Sequence, residues 1–485
     1  MNTNRREFLK GTLWMGAVAA AAGCVGDRLG AMPDGYGQGF RVAPIKKVRV
    51  GVVGVGHRGR GAVHRLAAIP GVEVVALCDL YRERIGYEQK WLKDNGKPAA
   101  REYVGPEAYK DLCQGDLDLV YVVTGWDTHV MIAVEAMECG KHAAIEVPAA
   151  RTLEECWRLV ETAERTKRHC MQLENCCYGE IELLCKNLVE TGVMGEIVHA
   201  ECAYIHDLRE CCYRAPKADQ GPNDDFGYDN YWRLRHNVPH KGNQYETHGL
   251  GPVCMYMDVN RGDRLEYLCS LESNQHGFEK YGREHFPTDS WQAKLKVEMG
   301  DMNTTLVKTH KGRSILIQHD VSSIRPYSRI NLLQGTNGIV RGIYRDYDLQ
   351  IAFPDKPGGE AHHWFDEKRM NAFCDAHMHP LWKAAGEISK KVGGHGGMDF
   401  LMDLRMCYCL QNGLPLDTDV YDLATWCSVA ECSERSVRER RYVDLPDFTR
   451  GGWKTAKPFG LFDLDLGKMG LDADSVKADK NALSV

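Results

Sequence analysis

Three things are scarce in this chain of 485 residues: excess charge of one sign, long hydrophobic runs, and cysteines with metal-ligand spacing. Lysine and arginine number 61 against 67 aspartates and glutamates, and a net charge of −6 offers no basic surface for nucleic acid or anionic membranes. Beyond the N-terminal segment, no stretch approaches the ~18 apolar residues of a membrane span. No two Cys-x-x-Cys pairs occur, so we expect no zinc site and no other metal.

The chain nevertheless has 19 cysteines, which in an exported protein would first suggest disulfides. Their spacing argues against that interpretation. Cys176-Cys177 and Cys211-Cys212 are adjacent pairs, which rarely bridge to each other, and many others lie in apolar periodic runs. We therefore predict mostly free, buried thiols that act as small hydrophobic residues.

The N-terminus has the pattern of a targeting segment. Asn4-Arg5-Arg6-Glu7-Phe8-Leu9-Lys10 precedes a small-residue apolar stretch, which is typical of a twin-arginine export signal and assigned here to residues 1–30. Ala21-Ala22-Gly23-Cys24 also resembles a lipoprotein cleavage box, so lipid attachment of Cys24 stays open beside plain cleavage or retention. We expect a protein of the periplasm, or one anchored at the cell envelope. Residues 31–46 are interpreted as a linker.

Two different patterns of hydrophobic residues follow the linker, one after the other. Over residues 47–170, short apolar runs alternate with helical patterns, which predicts an α/β domain with a Rossmann-type parallel sheet. From Ile197 onward, several segments alternate in period two, including 265–273, 292–299 and 304–309. They predict a C-terminal α+β domain (171–455) with a mostly antiparallel open sheet, followed by returning helices and a polar tail, 456–485. The exposed face of an open sheet often pairs with a second copy, so a homo-oligomer is an expectation.

A glycine-rich turn follows the first predicted strand. In Gly54-Val55-Gly56-His57-Arg58-Gly59, the first glycine permits a tight turn, the second a close approach to a pyrophosphate, and the third close packing of helix and strand. Asp79 ends the next strand, near the ~20-residue offset expected for the carboxylate that binds the ribose hydroxyls. This context favours a dinucleotide over a glycine-rich turn in an unrelated sheet, and the carboxylate favours NAD over NADP.

Further motifs carry a family resemblance. They are Trp126-Asp127-Thr128-His129, Ile145-Glu146-Val147-Pro148-Ala149, Glu174-Asn175-Cys176-Cys177-Tyr178, Gly195-Glu196-Ile197-Val198-His199-Ala200, Tyr204-Ile205-His206-Asp207-Leu208-Arg209 and Tyr245-Glu246-Thr247-His248-Gly249-Leu250-Gly251-Pro252. Together they resemble glycoside hydrolase family 109, which includes NAD-dependent α-N-acetylgalactosaminidases, within the glucose–fructose oxidoreductase-like superfamily. Dehydrogenases of that superfamily usually carry Glu-Lys-Pro where this chain has Glu146-Val147-Pro148. Since valine has no proton to exchange, this departure weakens an ordinary dehydrogenase interpretation.

The resemblance implies a set of site residues. The predicted cofactor contacts, including the glycines of the turn, are Gly54, Gly56, His57, Arg58, Gly59, Asp79, Trp126, Asp127, Thr128, His129, Glu146, Val147 and Asn175. The predicted substrate contacts are Tyr204, Arg233, Tyr245, Glu246, Thr247, His248 and Tyr327. Tyr245 and His248 are the predicted catalytic pair. Tyr204 and Tyr327 lie in or beside alternating strands, where packing is an equal alternative, and His395 in its glycine-rich loop is a candidate neighbour of the site.

The family resemblance also implies a reaction. The implied activity releases a terminal N-acetylhexosamine, with α-linked N-acetylgalactosamine as the expected sugar, through oxidation at C3, elimination, water addition and re-reduction. NAD would stay tightly bound and be regenerated in each turnover, which suits a protein exported away from the cytoplasmic NAD pool. A periplasmic NAD(P)-dependent sugar oxidoreductase and a non-catalytic sugar-binding lipoprotein are the alternatives. The expected partner of the glycosidase is a glycan or glycoconjugate substrate.

Overall fold

The computed structural model describes residues 36–214, 231–356, 358–458, 460, 462 and 464–471. The predicted export signal and Cys24 lie outside the described residues, as do the beginning of the linker and part of the tail. Within the described residues, no helix is long and apolar enough to cross a membrane.

A six-stranded parallel sheet forms the N-terminal half, in the order β3-β2-β1-β4-β5-β6. Its strands are β1 (Val48–Val53), β2 (Val72–Asp79), β3 (Arg101–Val104), β4 (Leu119–Val122), β5 (His142–Ile145) and β6 (Cys170–Gln172). The central strands are buried along nearly their whole length, which explains their continuous apolar sequences. The predicted Rossmann-type sheet is therefore confirmed.

Helices connect these strands and cover both faces of the sheet. They are α1 (His57–Ala68), α2 (Arg82–Asp94), α3 (Ala108–Cys113), α4 (Trp126–Glu138) and α5 (Leu153–Thr166). Helix α5 begins with a capping box, in which the Thr152 side chain accepts from the backbone of Glu155 and the Glu155 carboxylate accepts from the backbone of Thr152. The strand order reverses between β1 and β4, and ligands bind parallel α/β sheets at the carboxyl ends of the strands at such a point.

The C-terminal half contains an eight-stranded sheet in the order β13-β12-β11-β7-β10-β9-β8-β14. Only the β7–β10 pair is parallel, so the predicted, mostly antiparallel sheet is confirmed. The strands are β7 (Ile197–Ile205), β8 (Leu265–Glu272), β9 (Asn303–Thr309), β10 (Ser314–Asp320), β11 (Leu332–Gly335), β12 (Ile339–Arg341), β13 (Gln350–Ala352) and β14 (Val443–Asp444).

The helices of this half, up to residue 392, are α6 (Glu180–Glu190), α7 (Arg209–Cys212), α8 (Trp232–Asn237), α9 (Thr247–Tyr256), α10 (Gly277–His285), α11 (Glu367–His377) and α12 (Pro380–Val392). Helices α13 (Met398–Asn412) and α14 (Val420–Glu439) then return toward the N-terminal half, and a short α15 (Leu466–Met469) follows. Helix α13 packs against α1 and β1, and α14 packs against α5, β6 and β8. The two sheets are thus joined through a shared helical layer, with α9 also packed on α14.

One predicted strand, over 292–299, is wrong. Residues 295–298 belong to no strand, and 291–294 form a turn. The period-two alternation arises because Val297 and Met299 pack into an apolar cluster with Phe278 while the intervening side chains face outward. A one-sided apolar environment therefore produces a strand-like pattern without a sheet partner.

The cysteine prediction is confirmed for the described residues. All cysteines there are free thiols, and all but Cys139, Cys211 and Cys269 are buried. Burial raises the pKa of Cys176 and Cys177 well above the usual value, so both remain neutral thiols in the core.

Candidate functional site

The glycine turn between β1 and α1 leaves no room for a Cβ atom at Gly54 or Gly59. Gly54 has φ +91°, and a Cβ atom there would lie 2.4 Å from the carbonyl oxygen of Val123. A Cβ at Gly59 would lie 1.9 Å from the carbonyl oxygen of Gly54. The turn therefore depends on glycine at both positions, and it brings bare backbone to the start of α1, as a pyrophosphate requires. Gly56 is the residue that precedes α1.

Asp79 lies beside this turn at the carboxyl end of β2. The backbone N–H of Val55 donates to its Oδ2 at 2.9 Å, and that of Tyr81 donates to its Oδ1 at 3.0 Å. The carboxylate is thereby fixed next to the glycine turn, where the ribose of a dinucleotide would lie. His57, the first residue of α1, is adjacent in the same turn.

Residues 126–129 form the first turn of helix α4, which follows strand β4. Trp126 is buried in an apolar cluster, whereas Asp127 is exposed. The Thr128 hydroxyl donates to the carbonyl oxygen of Gly125 at 2.9 Å. His129 has no exposed surface, and its two ring nitrogens lie 3.0 Å from the carbonyl oxygen of Pro148 and 2.9 Å from that of Thr124. His129 therefore ties the end of β5 to the start of α4.

A buried ionic network connects the glycine turn to helix α13. The Arg58 guanidinium donates to Glu146 Oε1 at 2.8 Å and to Asp399 Oδ2 at 2.8 Å. Asp399 also accepts from the Asn175 amide and lies near Arg65. Burial raises the pKa of Asp399, but the charges of Arg58, His395 and Arg65 outweigh burial and hold it well below the usual value. The anionic Asp399 thus positions two of the predicted cofactor contacts, Arg58 and Asn175.

His395, on a loop of four glycines, joins this network at the rim. Its Nδ1 lies 3.0 Å from Asp399 Oδ2 and 3.1 Å from the Arg58 guanidinium. Its side chain is about one-third exposed, at 34%. The structure therefore places this candidate next to the predicted cofactor turn.

Predicted cofactor and substrate residues meet in one apolar cluster. Trp126 and Val147, from the first set, pack with Tyr204 and Tyr245, from the second, and Tyr327 packs against them. The Tyr204 and Tyr245 rings are 4.3 Å apart between centroids. The cluster joins the carboxyl edge of the first sheet to β7, so a ligand there can contact both halves of the chain.

The Arg233 guanidinium lies over three of these rings. Its distance to the ring centroid is 4.8 Å for Tyr245, 5.1 Å for Trp126 and 5.7 Å for Tyr204. Arg233 is 2% exposed, so its cation is buried against these three aromatic rings. Such a group suits the binding of a polar ligand oxygen at the wall.

His248 lies in the first turn of α9, with a carboxylate on one side and a phenol on the other. Its Nδ1 is 2.7 Å from Glu174 Oε1, and its Nε2 is 3.5 Å from the Tyr245 hydroxyl. Burial raises the pKa of Glu174, but the charge and hydrogen bond of His248 outweigh burial and the net pKa is lowered. Because an ionised carboxylate only accepts, Nδ1 carries a proton whether the ring is neutral or charged, and Nε2, which faces Tyr245, can accept a proton only while the ring is neutral.

The remaining predicted substrate residues occupy different positions. The Tyr327 hydroxyl accepts from Arg329 at 3.0 Å, and Arg329 is paired with the buried Glu182. Glu246 and Thr247 are buried at 1% and 0% exposure, with the side-chain oxygens of both sealed from solvent. Burial raises the pKa of Glu246 well above the usual value.

Two residues of the site were missed by the sequence interpretation. The sequence gives Glu174 only as part of a motif, without a role, and indicates no role for Asp399. Glu174, Cys176 and His248 also form a set of potential metal-ligand side chains within the described residues. The hydrogen bond between His248 and Glu174 accounts for the proximity of these two side chains.

Comparisons with known proteins agree with this geometry. A family model described as the C-terminal domain of glycosyl hydrolase 109 matches residues 178–455. A relative from Shewanella sp. (strain ANA-3), "Glycosyl hydrolase family 109 protein 2", is 44% identical over 466 residues, covering 94% of this chain and 99% of the relative. This chain belongs to glycosyl hydrolase family 109. A second family 109 relative, from Phocaeicola vulgatus, is 45% identical over 412 residues, which is 84% of this chain and 96% of its own.

The N-terminal half of this family 109 chain matches the NAD-binding Rossmann domain of an oxidoreductase family over residues 48–173. A levoglucosan dehydrogenase in complex with NADH has a similar fold, with TM-score 0.62 and 17% identity over 83% of this chain and 100% of its own. An oxidoreductase domain protein from Kribbella flavida has TM-score 0.60 and 16% identity over 83% of this chain and 100% of its own. The chain is thus a glycoside hydrolase built on an NAD-binding oxidoreductase fold, and its turn and carboxylate fit NAD.

Proposed function

We propose that this family 109 protein releases a terminal N-acetylhexosamine, with α-linked N-acetylgalactosamine as the sugar, through oxidation at C3, elimination, water addition and re-reduction. The proposal depends on one observation. Tyr245, His248 and Glu174 are hydrogen-bonded in a row, and Tyr245 packs in the apolar cluster that also contains Trp126 and Val147. Val147 is apolar and 5% exposed, where dehydrogenases of the superfamily carry a lysine. This arrangement supports proton transfer to and from a sugar by His248 and Tyr245.

The roles of the residues follow from their contacts. Bound NAD supplies reversible hydride removal at C3, which acidifies the neighbouring C2 proton. Glu174 fixes the His248 ring with its proton on Nδ1, which leaves Nε2 as the proton-accepting nitrogen. The Tyr245 hydroxyl donates to developing negative charge on a sugar oxygen, and the Arg233 cation binds a hydroxyl or the acetamido carbonyl.

The decisive test measures stoichiometry. Purified protein without added NAD is given p-nitrophenyl N-acetyl-α-galactosaminide, beside a panel of chromogenic hexosaminides of both anomers, while nitrophenol and NADH absorbance are recorded. We expect many turnovers of nitrophenol per chain and no net NADH. Accumulation of oxidised sugar, balanced by NADH or a second reduced sugar, would instead identify a sugar oxidoreductase, and binding without turnover a sugar-binding protein.

Tyr245→Phe tests the phenol separately from the ring. The variant keeps the aromatic packing on Tyr204 and removes only the hydroxyl near His248, so we expect kcat to fall by about 10-fold or more, with bound NAD unchanged. Tyr267→Phe is the matched control, because Tyr267 is 37% exposed on strand β8. Equal activity of the two variants would remove Tyr245 from the proposal.

We also propose that the chain is exported with its cofactor bound, as the paired Arg5 and Arg6 suggest. Replacing both with lysine should retain the protein in the cytoplasm of a host that has a twin-arginine pathway. Fractionation of cells that express the two forms measures this directly. Equal export of the lysine form would contradict the assignment, and mass spectrometry of the exported form decides whether Cys24 carries lipid.

A further inference from the structure

The site around His248 contains three different kinds of metal-ligand atom. Glu174 offers a carboxylate oxygen, Cys176 a sulfur and His248 a ring nitrogen, and these atoms all lie within 4.8 Å of one another. The nitrogen that faces Glu174 is Nδ1, at 2.7 Å from Oε1. Glu174 and Cys176 are each 1% exposed, and the His248 side chain is 13% exposed. Cysteine spacing alone does not indicate this set, because the fold brings His248 to Glu174 across 74 residues of sequence.

Two fixed elements hold these side chains together. Glu174 precedes the short 3₁₀ helix Asn175–Tyr178, and its Oε1 accepts from the backbone N–H of Cys176 at 3.2 Å. Helix α9 carries His248 and packs closely on the same carboxylate, since a Cβ atom at Gly251 would lie 2.9 Å from Cγ of Glu174. The other carboxylate oxygen of Glu174 is sealed from solvent. The three ligand groups are therefore positioned by the backbone and not by long, mobile side chains.

The mixture of nitrogen, oxygen and sulfur atoms selects a borderline-soft ion. Zn²⁺ is bound by histidine, carboxylate and cysteine at ~2.0–2.3 Å, and three protein ligands leave a fourth position for water. Tetrahedral bonds of that length separate the ligand atoms by about 3.3–3.8 Å. The 2.7 Å separation of Nδ1 and Oε1 must widen, and no other separation exceeds 4.8 Å, so the adjustments are about 1 Å or less. Mg²⁺ and Ca²⁺ prefer oxygen ligands and do not match this set.

We propose that Glu174, Cys176 and His248 bind Zn²⁺ reversibly, and that the bound ion inhibits the enzyme by blocking its proton-accepting nitrogen. The ion takes the place of the Nδ1 proton of His248 and the Sγ proton of Cys176, since metal ligands must be deprotonated. A neutral imidazole coordinated through Nδ1 carries its proton on Nε2. That nitrogen then faces Tyr245 as a donor and cannot accept a proton from the sugar.

The protons and charges balance when zinc is bound. A neutral His248 ring loses one proton from Nδ1 and gains one on Nε2, and Cys176 loses one, so one proton is released to solvent. The Glu174 carboxylate and the Cys176 thiolate together offset the two positive charges of the ion. Arg329, whose charge acts on Cys176, is itself paired with the buried Glu182. Zinc therefore adds no uncompensated charge to this buried region.

The experiment uses the full chain with its bound NAD, in a buffer that does not chelate metals. Zn²⁺ is titrated into the hydrolysis of p-nitrophenyl N-acetyl-α-galactosaminide, with Mg²⁺ at equal concentrations as the hard-ion control. Separately, Cd²⁺ is titrated without substrate, and the ultraviolet charge-transfer absorbance of cadmium–thiolate bonds is recorded. Wild type is compared with Cys176→Ser and with Cys177→Ser. Cys177 is the matched control, because it is adjacent, equally buried at 1% and outside the ligand set.

We expect Zn²⁺ to inhibit the wild type and Cys177→Ser equally, Mg²⁺ to leave both active, and a chelator to restore activity. Since even partners outside the ligand shell change metal affinity by about 10–100-fold, loss of the sulfur ligand in Cys176→Ser should raise the inhibition constant by about 10-fold or more. The cadmium absorbance should lose the contribution of one thiolate in Cys176→Ser and keep its wild-type value in Cys177→Ser.

The effect on turnover rests on the proposed function, whereas the cadmium titration needs no activity. If the chain hydrolyses no sugar, the cadmium absorbance still decides whether the site exists, and the two proposals fail separately. Three results would overturn the zinc site: no inhibition of an active wild type by Zn²⁺, an equal inhibition constant in Cys176→Ser, or a cadmium absorbance that Cys176→Ser leaves unchanged. Circular dichroism and the melting temperature establish folding. If Cys176→Ser does not fold, Cys176→Ala replaces it in both titrations, because alanine removes the sulfur without burying a hydroxyl.

Discussion

His248→Asn is expected to reduce kcat/KM on a chromogenic N-acetylhexosaminide by about 10²–10⁴-fold, the range typical of a lost acid–base group. The asparagine amide can still donate to Glu174, which is 2.7 Å from Nδ1 in the native protein, but it offers no basic nitrogen toward Tyr245. Bound NAD should remain at the wild-type amount per chain, because the cofactor turn lies on the first sheet.

The chain contains a matched control for this substitution. His310 also pairs with a glutamate, Glu266, at 2.8 Å, but this pair is at the surface, where the His310 side chain is 50% exposed. His310→Asn should leave kcat/KM within about 2-fold, because surface substitutions have small effects. Activity in His248→Asn that equals the His310→Asn value would remove His248 from the catalytic account.

Asp399→Ala is expected to have the largest effect on stability and on cofactor retention. The substitution leaves the Arg58 guanidinium without one of its two carboxylates and removes an anion near the buried Arg65. Breaking a buried ion pair by removing one partner typically costs about 3–5 kcal/mol of unfolding free energy. Since Asn175 also loses its acceptor, bound NAD per chain should fall in parallel.

Urea denaturation and nucleotide quantification measure these two effects. Asp355→Ala is the control, because Asp355 pairs with Arg369 at the surface, at 85% and 45% side-chain exposure, and such pairs contribute about 0–1 kcal/mol. If Asp399→Ala loses no more unfolding free energy than Asp355→Ala, the ionic network of Asp399 does not stabilise the fold. Unchanged NAD content would show that it does not position the cofactor residues.

The parts of the fold that the sequence predicts best depend on local pattern. The β1 strand, the glycine turn and Asp79 lie within 32 residues of sequence, from 48 to 79, and the structure gives a steric reason for glycine at Gly54 and Gly59, as their spacing predicts. Helix α5 is similar, since Thr152 and Glu155 form a capping box within four residues. Here the sequence pattern and the tertiary structure require the same residues.

Prediction is poorer where pairing partners decide the outcome. Segment 292–299 alternates as a strand does, yet it has an apolar cluster on one side and no neighbouring strand. Conversely, β3 (Arg101–Val104) forms at the edge of the first sheet without a distinctive apolar run. Strand pairing is a long-range property, so a local period cannot establish it.

The two missed site residues have the same cause. Glu174 meets His248 across 74 residues of sequence, and Asp399 meets Arg58 across 341. Neither partner lies in a spacing motif that includes the other. The network becomes visible only once helix α13 is known to return to the β1–α1 turn, which depends on the packing of the whole chain.

The central claim is that the glycosidic bond breaks by elimination after oxidation at C3, and hydrolysis in D₂O tests it most directly. The proposed route exchanges the C2 proton with solvent, so the released sugar should carry one deuterium at C2, detected by NMR and mass spectrometry, in protein supplied with no added NAD. Released sugar that retains its original hydrogen at C2 throughout many turnovers would contradict the account.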